Sequence, residues 1–438
     1  MTRPRCRFPS VALVGALSLV LTAALLPTVG DVSANAAAGG PITIAAAGGP
    51  ITIAAAGGPI NLAAAPGVER WNVDLSVVDR DDVNVRRTAT GLRLRAVRPT
   101  GRSARSPHSA VAEGMLLSTS RTLARPATRV RAEITASVPA GATVEAQVRG
   151  WRAAGWTEWR AATAGAVFDR PVSRVQARVV LTAPSGGATA TVRGVQLTAD
   201  AAAAVSAATP GRTYRVYATR IGLVGELTAN GRTVQPRDHF VALPSRRGLS
   251  PLNTGDYTVR VCTTSGSRCE YAPVWDVGPW NTRDDYWNLS SVRENWKDLP
   301  QGRPEAQAAY QSGYNGGRDQ FGRTVLNPAG IDLADGTFWD GLQLTTNAWV
   351  DVAYLWTGGG PRGVVGDGPL NIRAGASTSY AIRGLAARLA HVPIQCYVLG
   401  QSVAGPYRTT TRWNRLATGQ YVSHAYVSSV YGGSVPVC

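Results

Sequence analysis

Between Val68 and Asp200 the chain falls into short runs in which every second residue is apolar, and that period limits what it can fold into. Leu92, Leu94 and Ala96 form one row, and Val130, Ala132 and Ile134 another. Val144, Ala146 and Val148 follow, then Val175, Ala177, Val179 and Leu181. Successive side chains of a strand point to opposite faces, so this spacing buries one face of a pleated sheet rather than one face of a helix. Pro and Gly punctuate the runs, as turns between antiparallel strands require. The expected fold class is mainly β, with a β-sandwich over 68–200.

A chain of 438 residues is too long for one ordinary domain. Residues 1–36 read as an export signal: Arg3, Arg5 and Arg7 precede an apolar run from Val11 to Leu26, and Ala34-Asn35-Ala36 offers a small-x-small cleavage site. Residues 37–67 carry three nine-residue copies, AAAGGPITI, AAAGGPITI and AAAGGPINL. Three copies are too few for a solenoid, and Gly-Gly-Pro interrupts regular structure, so an extended linker is expected. The strand propensity of Ile-Thr-Ile leaves a self-associating segment as the alternative. An Ala-rich hinge, Ala201 to Gly211, leads to a central module over 213–356. A Gly-rich break, Thr357 to Gly368, precedes a last module over 369–438.

Beyond the signal lie Cys262, Cys269, Cys396 and Cys438. An even count in an exported chain favours disulfides, and of the three possible connectivities proximity favours Cys262–Cys269 and Cys396–Cys438. Without Cys-x-x-Cys or paired His, no metal is expected. The formal charge of +17 is almost all arginine, Lys297 being the only lysine. Outside a cell such a surface meets anionic wall polymers first, and no nucleic-acid motif interleaves aromatics with the arginines. No later segment is long and apolar enough to span a bilayer. A secreted, soluble, wall-associated monomer is expected.

Tyr271 to Trp280, YAPVWDVGPW, sets Asp276 between Trp275 and Trp280, ahead of a Val-Gly-Pro turn. Apolar surroundings disfavour the anion and raise a carboxyl pKa, the state a general acid needs near neutral pH. An Asp before a Gly-Pro turn can instead accept backbone N–H bonds, which lowers the pKa. Trp151, Trp156 and Trp159 form a second aromatic cluster, readable as a sugar platform or as sandwich core.

Five ordered pieces of the central module resemble the double-psi β-barrel of the rare lipoprotein A family, shared with expansins and barwin-like proteins. They are Tyr217 with Gly222 and Gly225, then Thr228-Ala229-Asn230-Gly231, then His239 with Val241-Ala242-Leu243-Pro244. Trp275-Asp276-Val277-Gly278-Pro279 and Ile331-Asp332-Leu333 complete the set. The resemblance implies a six-stranded double-psi barrel with a sugar-facing groove. In lytic transglycosylase members the carboxylate at the Asp276 position protonates the glycosidic oxygen, and the muramic C6 hydroxyl closes a 1,6-anhydro ring. Asp276 is thus the candidate general acid, with His239 and Asp332 as partner candidates. Tyr217, Trp275, Trp280 and Trp413 are the candidate substrate-binding aromatics.

The chain departs from that pattern. Arg232 stands where glycan-cleaving members carry Glu, and Val277 replaces an arginine. A long insert, Asn281 to Gly330, separates the hallmark segments and reads as a lid, a groove wall or a structural loop. Its acidic-aromatic run from Asp284 to Trp287 does not match an EF-hand. Asp332 reads most simply as the N-cap of a short helix, and His239 as a hydrogen-bonded barrel residue.

The last module resembles a bacterial SH3 domain. Leu370-Asn371-Ile372-Arg373-Ala374-Gly375 matches that family's opening strand, and Trp413 with Gly419-Gln420-Tyr421-Val422-Ser423 a later segment. The resemblance implies attachment to cell-wall peptides. No phosphate loop, Gly-x-Ser-x-Gly elbow or triad is present, so no cofactor is expected. The expected function is peptidoglycan binding and remodelling, with lytic transglycosylase activity through Asp276 as the alternative.

Overall fold

The computed structural model describes residues 42–44, 51–53, 68–98, 111–153, 155–201 and 208–438. The export signal and most of the hinge lie outside these residues. The chain divides into two units, Met1–Ala63 and Ala64–Cys438. In the first, Ile42–Ile44 pairs antiparallel with Ile51–Ile53, so the Ile-Thr-Ile pieces of two consecutive repeats form a two-stranded ladder. This departs from a purely extended linker, since β-branched Ile and Thr favour pairing.

Ten strands between Glu69 and Asp200 enclose one apolar core. Two long strands, Arg121–Ser137 and Ala166–Pro184, shift register partway, so Ala166–Pro184 pairs first with Arg121–Ser137 and then with Thr143–Arg152 and Val111–Leu117. Such shifts let a strand pass from one layer to another. Val175, Ala177, Val179 and Leu181 are all buried, as are Leu92, Leu94, Ala146 and Val148, as the period-two pattern predicts.

The central module is a closed six-stranded barrel. Its strands are Arg212–Arg220, Val241–Leu243, Thr258–Thr263, Cys269–Val277, Ala329–Leu333 and Ala348–Tyr354. The first strand pairs parallel with the fifth, and the second pairs parallel with the fourth. Four antiparallel pairings close the ring. Each strand gives two alternate residues to the interior: Val216 and Ala218, Val241 and Leu243, Val259 and Val261, Ala272 and Val274, Ile331 and Leu333, Val350 and Val352. The insert does not form a detached lid. Tyr286 and Trp287 join the barrel core, where Trp287 stacks on Tyr354 and meets Trp356 edge to face, and Tyr286 meets Tyr354 edge to face. Asp284 pairs with Arg293 and Asp285 with Arg247, so the acidic run is spent on internal ion pairs.

The last module begins earlier than its sequence pattern suggests. The Gly-rich break contains a strand, Arg362–Val365, that pairs with His391–Ala404 and Val427–Tyr431. The small Gly363 admits Ile394 and Val427 side chains at close range. The disulfides are Cys262–Cys269, joining directly paired residues of neighbouring barrel strands, and Cys396–Cys438, tying a long strand to the C-terminus.

The three β regions pack together within the unit Ala64–Cys438. Barrel strand Cys269–Val277 pairs parallel with Ile382–Ala386 of the last module. Asn288 of the insert meets Arg178 and the buried Glu158 of the sandwich, and Tyr257 bonds the Glu158 amide. No helix among the described residues is long and apolar enough to cross a membrane.

Candidate functional site

One short strand, Val241–Leu243, brings Asp276 and Asp332 together although 56 positions separate them in sequence. Ala242 is the partner of Asp276 on one side and of Asp332 on the other. Val241 and Leu243 point into the barrel, so Ala242 points to the other face, although it is itself buried. Asp332 lies between the inward residues Ile331 and Leu333 and so also faces outward.

Asp276 reaches that face through a register shift. Val241 pairs with Val274 but Ala242 pairs with Asp276, so Trp275 is an extra residue in the ladder. Strict alternation from Val274 would point Asp276 into the core; the bulge turns it out, a use of bulges seen beside functional sites. The Oδ1 of Asp276 accepts the Ala229 N–H at 2.7 Å. Burial pushes its pKa up, against the pull of the Ala229 and Val277 amides and the Arg246 charge. Both sequence readings of Asp276 are thus present together: turn-like amide bonds and a raised pKa.

Asp332 is a strand residue, within Ala329–Leu333, and not a helix N-cap; the helical turn starts beyond it. Its ordering partner is Thr219, its register neighbour on the first strand, whose hydroxyl donates to Oδ1. Burial raises its pKa to about 7, the Thr219 bond lowers it and the Asp276 charge raises it further. The outcome is two neighbouring carboxyls of which one holds a proton near neutrality, a pattern that separates acid and base roles. The Oδ2 of Asp332 faces the backbone of Gly278, where even a methyl group would stand 3.7 Å away.

Tyr217 lies two residues before Thr219 on the same strand, with Trp349 as its direct cross-strand partner. The two rings meet edge to face at 5.6 Å and both are half-buried, so the pair offers an aromatic edge beside the carboxyls. Trp349 and Thr219 escaped the sequence reading; the alternation from Tyr217 to Thr219 is the signal that finds the latter.

The other candidates lie elsewhere. Trp275 is only 3% exposed, packs on Phe240 and gives its indole N–H to the Thr254 carbonyl, so it is core rather than a sugar platform. Trp413 is 1% exposed, with its N–H on the Gln401 carbonyl, and is likewise core. Trp280 is half-buried against Ala306, Ala309 and Val325, and bonds Asn327. Among the sandwich aromatics Trp159 is buried, and Arg174, Arg149 and Arg178 occupy the ring faces of Trp151, Trp156 and Trp159.

His239 does not join the carboxyl pair. Its Nδ1 lies 2.9 Å from Oε1 of Glu270, near the opposite end of the same strands. Burial disfavours the imidazolium, but the bond and charge of Glu270, with Asp340 and Asp238, hold its pKa above the usual value. Glu270 is fully buried and also bonds Thr337, so the dyad braces the turn that follows the fifth strand. Arg232, where a carboxylate was looked for, pairs with Asp238 and stacks on Trp275 at 4.8 Å. No group of three or more His, Cys, Asp or Glu among the described residues is arranged to hold a metal.

Residues 212–353 match the model of a family described as a domain of unknown function, DUF8814, which spans the barrel from its first strand into its sixth. The uncharacterized protein YraI of Bacillus subtilis (strain 168) is 36% identical over 80 residues, covering 16% of this chain and 66% of that protein. The match therefore spans slightly less than two thirds of that relative. No solved structure matches the chain significantly.

Proposed function

We propose that the protein acts outside the cell on the glycan strands of peptidoglycan, with Asp332 and Asp276 as a proton-transfer pair and the last module as its wall attachment. The observation that carries this reading is the outward-facing pair of carboxyls across Ala242, one with a pKa of about 7. Asp332 gives its proton to the glycosidic oxygen as the bond from C1 breaks. The C6 hydroxyl of the same sugar closes on C1 and passes its proton to Asp276, giving a 1,6-anhydro end without a positioned water. Return of that proton to Asp332 resets the pair. Tyr217 and Trp349 supply the surface against which a sugar ring packs. Relative to an assignment in which Asp276 is the acid, the proton resides on Asp332 and Asp276 is the acceptor.

Digestion of purified sacculi followed by mass spectrometry of the soluble products tests the proposal. Release of 1,6-anhydro muropeptides, lost in both Asp332→Asn and Asp276→Asn, is expected. Sacculi left intact by the folded protein would refute the catalytic reading. Retention on insoluble peptidoglycan that survives both substitutions and fails in Trp349→Ala would leave a binding groove.

A further inference from the structure

We propose that a pocket between the first barrel strand and the 281–330 insert binds a short peptide by its free carboxylate and a neighbouring amide N–H. The cavity has a volume of about 430 Å³ and is lined chiefly by Tyr214, Gly302, Arg303, Gln307 and Gln311. That volume lies within the range of small-ligand sites. It is separate from the carboxyl pair, and none of its lining residues belongs to that pair, so the proposal does not depend on glycan cleavage.

The insert builds the pocket through a close approach. Gly302 has φ +85°, and a Cβ there would lie 2.3 Å from the Tyr214 ring, so only glycine lets the backbone lie against that ring. The next residue, Arg303, then enters the cavity. Its Nη2 donates to the Ser312 hydroxyl at 2.9 Å, and its Nε is buried without a partner among the described residues. No carboxylate among the described residues pairs with it, and burial alone pulls its pKa down. A partly buried cation without a counter-charge is costly, and a carboxylate from a ligand would offset that cost through charge-assisted bonds.

The remaining groups narrow the ligand. The other arginine at the rim, Arg215, is already neutralised by a two-pronged pair with Asp351 at 2.9 Å. One uncompensated positive charge suits a monoanion better than a phosphate dianion. Gln307 donates through Nε2 to Gln311, which leaves its Oε1 a buried acceptor with no partner. A phosphomonoester dianion has no proton to give that oxygen, whereas a peptide N–H has one. The Tyr214 hydroxyl, which burial keeps protonated to about pH 12, makes no hydrogen bond among the described residues and supplies a further donor. A free cation, a free acceptor and a free donor around one cavity match a C-terminal carboxylate with its adjoining amide.

Calorimetric titration of the full chain with N-acetyl-Ala-Ala tests this, using the L,L and D,D free acids and the corresponding C-terminal amides. Binding of a free acid is expected, at least tenfold weaker for its amide and at least tenfold weaker again for Arg303→Gln. Gln307→Ala, on the surface helix Glu305–Ser312, should weaken binding while leaving the thermal midpoint in place. Preference for the D,D acid identifies a wall stem peptide, and preference for the L,L acid an ordinary protein C-terminus. Absence of binding by both acids at 10 mM, amides that bind as well as acids, or full affinity in a folded Arg303→Gln variant would each overturn it.

Discussion

At the scale of single residues, the site depends on where one proton sits. Folding raises the Asp332 pKa from an unfolded value of about 3.9 to about 7. The stability linked to this group is therefore complete below about pH 4 and is lost as pH rises through 7. Carboxyl-carbon NMR should show Asp332 titrating near 7, and in Asp276→Asn the midpoint should move down because the neighbouring charge is gone. An unchanged midpoint would mean that the two carboxyls do not interact. Any glycan cleavage should fall as pH rises above 7, following loss of the Asp332 proton. The Asp276 position was legible because an acid among aromatics before Gly-Pro is locally unusual. Thr219 and Trp349 were not, since each becomes relevant only through a partner on another strand.

At the scale of elements, the bulge at Trp275 does two jobs in one residue. It turns Asp276 outward and sends the indole into a small core with Phe240, Val234 and Ala334. Trp275→Ala should thus cost about 3–5 kcal/mol in denaturant unfolding, whereas Trp349→Ala should leave stability nearly intact and lower glycan affinity. The 42-residue separation closed by Cys396–Cys438 makes its loss costly. Cys396→Ser should destabilise by about 3–4 kcal/mol, more than loss of Cys262–Cys269, which closes a separation of only seven. Calorimetry of the two variants ranks them. The insert shows what local pattern conceals: Asp284 to Trp287 reads as a loop, yet all four are buried because Arg293 later in the insert, and Arg247 and Tyr354 from other segments, meet them.

At the scale of the whole molecule, the regions of the unit from Ala64 to Cys438 are joined through shared apolar clusters and through buried polar groups. Arg152 of the sandwich bridges Asp169 of the same region and Asp256 of the barrel module, with His391 and Tyr431 of the last module nearby. Burial, the Asp169 hydrogen bond and the Asp169 charge raise the Asp256 pKa to about 6, and its partner Asp169 is held low. The pair holds one proton at mildly acidic pH. Because the Asp256 pKa is raised on folding, the stability linked to it is present below about pH 4 and lost through pH 6. The thermal midpoint should rise on acidification from pH 7 to 5, and Asp256→Asn should flatten that response. Arg152→Ala, which leaves two buried carboxyls without their cation, should cost about 3–5 kcal/mol. A single calorimetric transition is expected for this unit; three separable ones would mean that the joints are weaker than their burial implies.

The sequence by itself determined the strand periodicity, the mainly β class and the identity of Asp276 as the acid to examine. These follow from side-chain alternation and turn chemistry, which act over a few residues. Only the tertiary structure decided that Asp332 is a strand residue facing Asp276 across Ala242, that Trp275 and Trp413 are core, and that Arg303 stands without a counter-charge. Each of these depends on register or burial, and both are fixed by strands far apart in the chain closing on one another.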